Sequence, residues 1–209
     1  MITRVLAVVL LLCAADVYAA PPAGGRYVYY PGTTEVSEAI AARTLGSSFK
    51  IFAEVEFTGD TQGIICSQGS RFGGYALFVK GGKLAFVYNF LGVPPEQRLT
   101  TDAPTPGTHI VGVEFAKESI SKNLECLGTM TLYVDDKPVD SGKFMIQTGH
   151  YALCGEGLCI GYDSGDALSA EYTGKFPFSG GRIIKVIYDV ATDVYVDVER
   201  QLAAAMARD

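Results

Sequence analysis

Two glutamates, Glu54 and Glu56, lie two residues apart, so a strand would aim both carboxylates to one side. Paired carboxylates are the machinery of glycoside hydrolysis. Sandwich-fold glucanases, however, carry a third acid in a Glu-x-Asp-x-x-Glu run, and position 59 here is Gly59. The expected role of Glu54 and Glu56 is therefore that of solvent-facing strand residues. A second constellation, His109, Asp135 and Ser164, comes in the chain order of a serine-protease triad. Tyr162 and Asp166 occupy the places where the flanking glycines of that motif belong. The segment between His109 and Ser164 is also too short to build two barrels. Asp163-Ser164-Gly165 reads instead as a turn whose side chains bond their own backbone.

A third cluster, Asp163, Asp166 and Glu171, offers hard oxygen ligands from one glycine-rich loop, the chemistry of a structural calcium site. Its spacing differs from that of an EF-hand loop. His109 and His150 are isolated and read as surface residues. Tyrosine and phenylalanine are abundant, at 12 and 11 residues, while tryptophan is absent. Tyr75, Tyr88 and Tyr162, with Tyr27 and Tyr29, are the candidates for stacking on sugar rings. The same residue types are also the ordinary filling of a β core.

Cysteine usage bears on the compartment. Arg4, the apolar run Val5–Ala15 and Val17-Tyr18-Ala19 have the form of a signal peptide, residues 1–19, cut before Ala20. The apolar run is too short to span a bilayer. The remaining cysteines, Cys66, Cys126, Cys154 and Cys159, permit two disulfides in three pairings, and Cys154 and Cys159 are spaced to close across a turn. No CxxC pair supports a zinc cluster. A net charge of −6 argues against nucleic acid as a partner.

The elements that would hold these residues are mostly strands. Phe49, Ile51, Ala53, Val55 and Phe57 alternate with polar neighbours, the pattern of a half-buried strand. Tyr75–Lys80 and Lys83–Phe90 flank Gly81-Gly82, a hairpin signal. Strands are predicted over His109–Phe115, Met130–Val134, Val139–Met145, Leu158–Tyr162 and Arg182–Asp189, with Asp135-Asp136 turning the middle pair. The stretch Glu35–Arg43 reads as about two helical turns. Val194, Val198, Leu202 and Met206, in an alanine-rich context, predict a short C-terminal helix. The expectation is an all-β antiparallel sandwich of one domain, residues 20–209. Gly73-Gly74, Gly81-Gly82 and Gly180-Gly181 report its turns.

Five blocks in order carry a family likeness: Phe72-Gly73-Gly74-Tyr75-Ala76-Leu77, Tyr88-Asn89-Phe90, Gly155–Asp166, Phe176-Pro177-Phe178 and Tyr195-Val196-Asp197-Val198-Glu199-Arg200. Together they resemble the C-terminal accessory domain of bacterial arylsulfatases. The resemblance implies a concanavalin-like jelly roll, related to laminin-G domains, that packs beside a sulfatase catalytic domain. It carries over no catalytic residue. The Cys/Ser-x-Pro-x-Arg motif of sulfatases is absent from this sequence. Cys154 departs from the family pattern and implies an added disulfide suited to export. The expected function is that of an exported, non-catalytic module docking to a protein such as a sulfatase. A lectin-like carbohydrate-binding module and a sandwich-fold hydrolase are the alternatives.

Overall fold

The computed structural model describes residues 24–149, 156–195 and 206. Ten strands follow in order: β1 (Gly25–Tyr29), β2 (Phe49–Ser70), β3 (Gly73–Lys80), β4 (Lys83–Asn89), β5 (Gln97–Asp102), β6 (Gly107–Ile120), β7 (Cys126–Val134), β8 (Lys137–Ile146), β9 (Leu158–Ile160) and β10 (Ser179–Val190). All pairings are antiparallel, and they form two sheets. Sheet A runs β1-β10-β2-β6-β7-β8; sheet B runs β9-β2-β3-β4-β5.

Strand β2 belongs to both. Phe49–Phe57 pairs with β6 and β10 in sheet A, and Gly63–Ser70 pairs with β3 and β9 in sheet B. Alternation of apolar and polar residues in its first half sends Ile51, Ala53, Val55 and Phe57 inward and Lys50, Glu54 and Glu56 outward. The inner faces of the two sheets enclose one core. There Tyr75 of sheet B lies 6.4 Å from Tyr188 of sheet A, and Phe86 lies 6.4 Å from Phe144. Side chains bind the open edges of the sandwich together: Gln97 of β5 donates to the Met145 carbonyl of β8 (2.7 Å) and accepts from the Met145 amide (2.6 Å).

In β4, Leu84–Asn89 are buried without interruption. That continuous burial arises because sheet B is covered on both sides. The connection between β9 and β10, residues 161–178, lies over its outer face. It forms a second apolar cluster of Leu168 and Tyr172 with Ile64, Ala76, Phe78, Ala85 and Val87.

The hairpins follow their turn chemistry. Gly81 and Gly82 sit at φ 57° and 73°, the left-handed pair that a two-residue hairpin needs. The predicted helix over Glu35–Arg43 is replaced by a single turn in which Ile40 and Ala41 bond Ser37, and by Val36 paired with Leu158 at the free edge of β9. Bridging that edge satisfies backbone groups that a two-turn helix would leave exposed. Of the residues that predict the C-terminal helix, only Val194, which is not helical, and Met206 are among the described residues, and the signal sequence lies wholly outside them. Among the described residues, no helix is long and apolar enough to cross a membrane.

Candidate functional site

Three connections converge at one end of sheet B: the β2–β3 turn at Arg71-Phe72, the β4–β5 connection 90–96, and the β9–β10 connection. Between them lies an open groove of about 460 Å³, lined in part by Arg71, Asn89, Val93, Glu96, Leu168 and Tyr172.

Its frame is fixed by polar residues that end or follow apolar strands. Asn89, the last residue of β4, is buried and ties all three segments. Its Nδ2 donates to the carbonyls of Arg71 (3.1 Å) and Leu168 (2.9 Å), and its Oδ1 accepts from the Gly92 amide (2.8 Å). Glu96 accepts from the Ser169 hydroxyl (2.6 Å) and the Ala170 amide (3.0 Å).

Beneath the groove, Asp163 is 1% exposed and accepts from Tyr172 Oη (2.6 Å), the Leu168 amide (3.0 Å) and Ser67 Oγ (3.1 Å). Burial raises its carboxyl above the ordinary value, although those hydrogen bonds pull the other way. Tyr172 stacks on Phe176, with centroids 5.5 Å apart.

At the rim the side chains are exposed. The Arg71 guanidinium lies 4.6 Å from the Phe72 ring centroid and pairs with Asp166 at 3.1 Å. Phe72 is 47% and Val93 60% exposed. Asn89, Glu96 and Asp163 are thus taken up in internal bonds, while one cation and two apolar side chains are exposed at the rim.

The calcium ligands expected from the sequence do not converge. Asp163 is held in the buried network, Asp166 turns to Arg71, and Glu171 pairs with Arg98. Among the described residues, no group of three or more acidic, cysteine or histidine side chains is placed to hold a metal. The donor set does not fit a calcium ion.

Tyr75 and Tyr88 also depart from expectation. They are cross-strand partners on the inner face, 3% and 2% exposed, and cannot offer a ring to a sugar. Tyr75 Oη donates to Gln68 (3.0 Å), and Tyr88 Oη accepts from the Gln147 amide (2.9 Å). Both line a second cavity of only about 30 Å³, room for a single water. Tyr162 is half-buried, with Lys175 Nζ 6.0 Å from its ring centroid.

Cys66, Cys126 and Cys159 are buried free thiols, which corrects the disulfides expected among them; Cys154 lies outside the described residues. Cys66 and Cys159 cannot meet, because Ser67 is the residue opposite Cys159 and neighbouring side chains point to opposite faces. Burial pushes the Cys66 thiol up to about 12 and the Cys126 thiol to about 11, so neither supplies a thiolate nucleophile.

The other catalytic constellations dissolve as well. Glu54 and Glu56 stand on the outer face of sheet A in ion pairs with Lys185 (2.9 Å) and Arg182 (3.2 Å), not in a cleft. His109 and Asp135 do meet, at 3.1 Å. The other ring nitrogen faces the Thr105 carbonyl at 3.0 Å, which leaves none to activate a hydroxyl, and Ser164 sits in the β9–β10 connection.

Neither residue type nor spacing marks the groove residues Asn89 and Glu96 as a site in the sequence. The available signal was a polar residue closing an unbroken apolar run, Leu84–Tyr88, where a strand must hand its backbone to a loop.

No protein-family model matches the chain, and no curated protein matches it in sequence. Likeness is found in structure. The CBM40 module of the Ruminococcus gnavus IT-sialidase aligns with a TM-score of 0.52 at 12% identity, over 86% of this chain and 97% of that one. Domains LG4-5 of the mouse laminin α1 chain align at 0.48 and 14% identity, over 91% of this chain and 48% of that one. The receptor-binding domain of botulinum neurotoxin D aligns at 0.42 and 8% identity, over 87% and 41%. The first likeness establishes the fold, an antiparallel β-sandwich of the kind on which carbohydrate-binding modules are built; the two weaker ones carry no argument.

Proposed function

We propose that the protein is a non-catalytic, exported carbohydrate-binding module that takes a glycan bearing an acid group in the groove beside Arg71. The observation that carries this reading is the contrast within the groove. Asn89, Glu96 and Asp163 are consumed in holding the frame, whereas Arg71 is exposed, its guanidinium resting on the Phe72 ring and paired with an equally exposed Asp166. A surface ion pair of this kind contributes little, so a ligand carboxylate or sulfate can replace Asp166 at small cost. The guanidinium offers it a two-pronged contact, and Phe72 and Val93 supply apolar surface for a sugar face. A sandwich likeness spanning nearly the whole of a CBM40 module supports the same reading.

Isothermal titration against matched acidic and neutral oligosaccharides tests it. Arg71→Ala should weaken the acidic ligand at least tenfold, about 1.4 kcal/mol. Asp166→Asn should strengthen it severalfold by releasing the guanidinium. Equal retention of both ligands by the Arg71 variant would sink the proposal. The sulfatase-docking role implied by the arylsulfatase resemblance predicts instead a co-purifying partner whose retention ignores Arg71.

A further inference from the structure

The outer face of sheet B is buried under residues of the β9–β10 connection, but the outer face of sheet A carries an apolar row toward solvent. Read across the register, Val28, Ile187, Phe52, Gly112 and Tyr133 stand side by side on β1, β10, β2, β6 and β7. Val28 is 44% exposed, and Ile110 beside the row is 47% exposed. Charged rows flank it. On one side run Arg26, Asp189, Lys50 and Glu114; on the other run Lys185 beside Glu54, and Arg182 beside Glu56.

We propose that this face is the interface of a homodimer, with a two-fold axis parallel to the strands between β10 and β2. Such an axis keeps each row at its own height and reverses its order. Every charge then meets its opposite. Arg182 and Lys185 face Glu56 and Glu54 of the second copy, Asp189 faces Lys50, and Arg26 faces Glu114. In the apolar row Ile187 meets Phe52, and Val28 stands opposite Gly112, over which the Phe52 ring of the same chain leans.

The axis overlaps four strands, β1, β10, β2 and β6; spaced about 4.8 Å apart, with nine residues rising about 3.3 Å each, they give a patch roughly 19 Å by 30 Å. At about 570 Å² per partner this is a small interface, below the about 800 Å² of the standard size, so the charge complementarity must supply much of its specificity. Two sheets so aligned pack face to face as the layers of a sandwich do.

Sedimentation velocity tests the assignment independently of any glycan. The wild-type protein should show twice the monomer mass at micromolar concentration. A variant carrying Glu54→Lys and Glu56→Lys, and another carrying Arg182→Glu and Lys185→Glu, should each be monomeric, because like charges then face one another. An equimolar mixture of the two should regain the dimer mass, a result that loss of pairs within one chain cannot produce. Circular dichroism checks that both variants are folded. A monomeric wild type, or a mixture that stays monomeric, overturns the proposal.

Discussion

Replacing Asp163 with alanine is expected to destabilise the protein by about 2–5 kcal/mol, because buried donors left without an acceptor forfeit their full desolvation cost. The Leu168 amide and the Tyr172 hydroxyl would lose the acceptor seen here, while Ser67 keeps its contact with the Tyr162 carbonyl (3.1 Å). For a domain of this size that corresponds to a fall in Tm of roughly 5–15 °C in a calorimetric scan. A variant melting within a degree of wild type would show that the network is not what holds the loop. Asp163→Asn separates geometry from charge. Burial raises the Asp163 carboxyl above its ordinary 3.8, so the folded state holds that proton more tightly than the unfolded chain. The stabilising contribution is then complete below the unfolded value and is lost as pH rises through the folded one. Asparagine does not titrate. The stability of wild type relative to Asp163→Asn should therefore decline as pH is raised from about 4 through that window.

Gly63→Ala should be of similar size for a different reason. Gly63 lies just past the crossing of β2 from sheet A to sheet B, at φ 104°, a conformation that L side chains rarely adopt. A Cβ there would stand 2.3 Å from the Pro177 carbonyl oxygen and 2.6 Å from Phe178 Cα, backbone atoms that cannot swing aside. Strain of about 1–3 kcal/mol and overpacking of about 1–3 kcal/mol add at this site. Since Pro177 and Phe178 close the connection that floors the groove, glycan retention should fall together with stability. Gly82→Asn is the control. Its φ is also positive, but no atom lies within 4 Å, and asparagine tolerates that region, so denaturant titration should register less than about 1 kcal/mol. Equal losses at positions 63 and 82 would place the effect in conformation alone and refute the steric account.

These residues show where the sequence is informative and where it is not. The alternation from Phe49 to Phe57, the Gly81-Gly82 hairpin and the Asp135-Asp136 turn all mark what the structure contains, because each is a local rule acting over a few residues. Strands β1 and β5 carry no such signal, because both are edge strands without a clean apolar period. The extension of β2 through Thr58–Ser70 is equally hidden, since glycine and polar residues there read as loop. The site was harder still. Tyr75 and Tyr88 look like sugar platforms until one knows that the β9–β10 connection covers one face of their sheet and sheet A covers the other. Asp163, Asp166 and Glu171 look like a ligand set until Tyr172, Arg71 and Arg98, distant in the chain, take one carboxylate each. Such partnerships are properties of tertiary contact, and no period or spacing encodes them.

The placement of β10 constrains how the molecule comes into being. As the last strand among the described residues it inserts between β1 and β2, contributing ten paired positions to β2. During vectorial synthesis the inward-facing residues Ile51, Ala53 and Val55 therefore emerge long before the neighbour that completes their layer. Until residue 190 is available, both flanking edges stand open to adventitious strand addition. Pairing across so long a separation is also intrinsically slow. Closure of sheet A around β10 is accordingly a late event in folding.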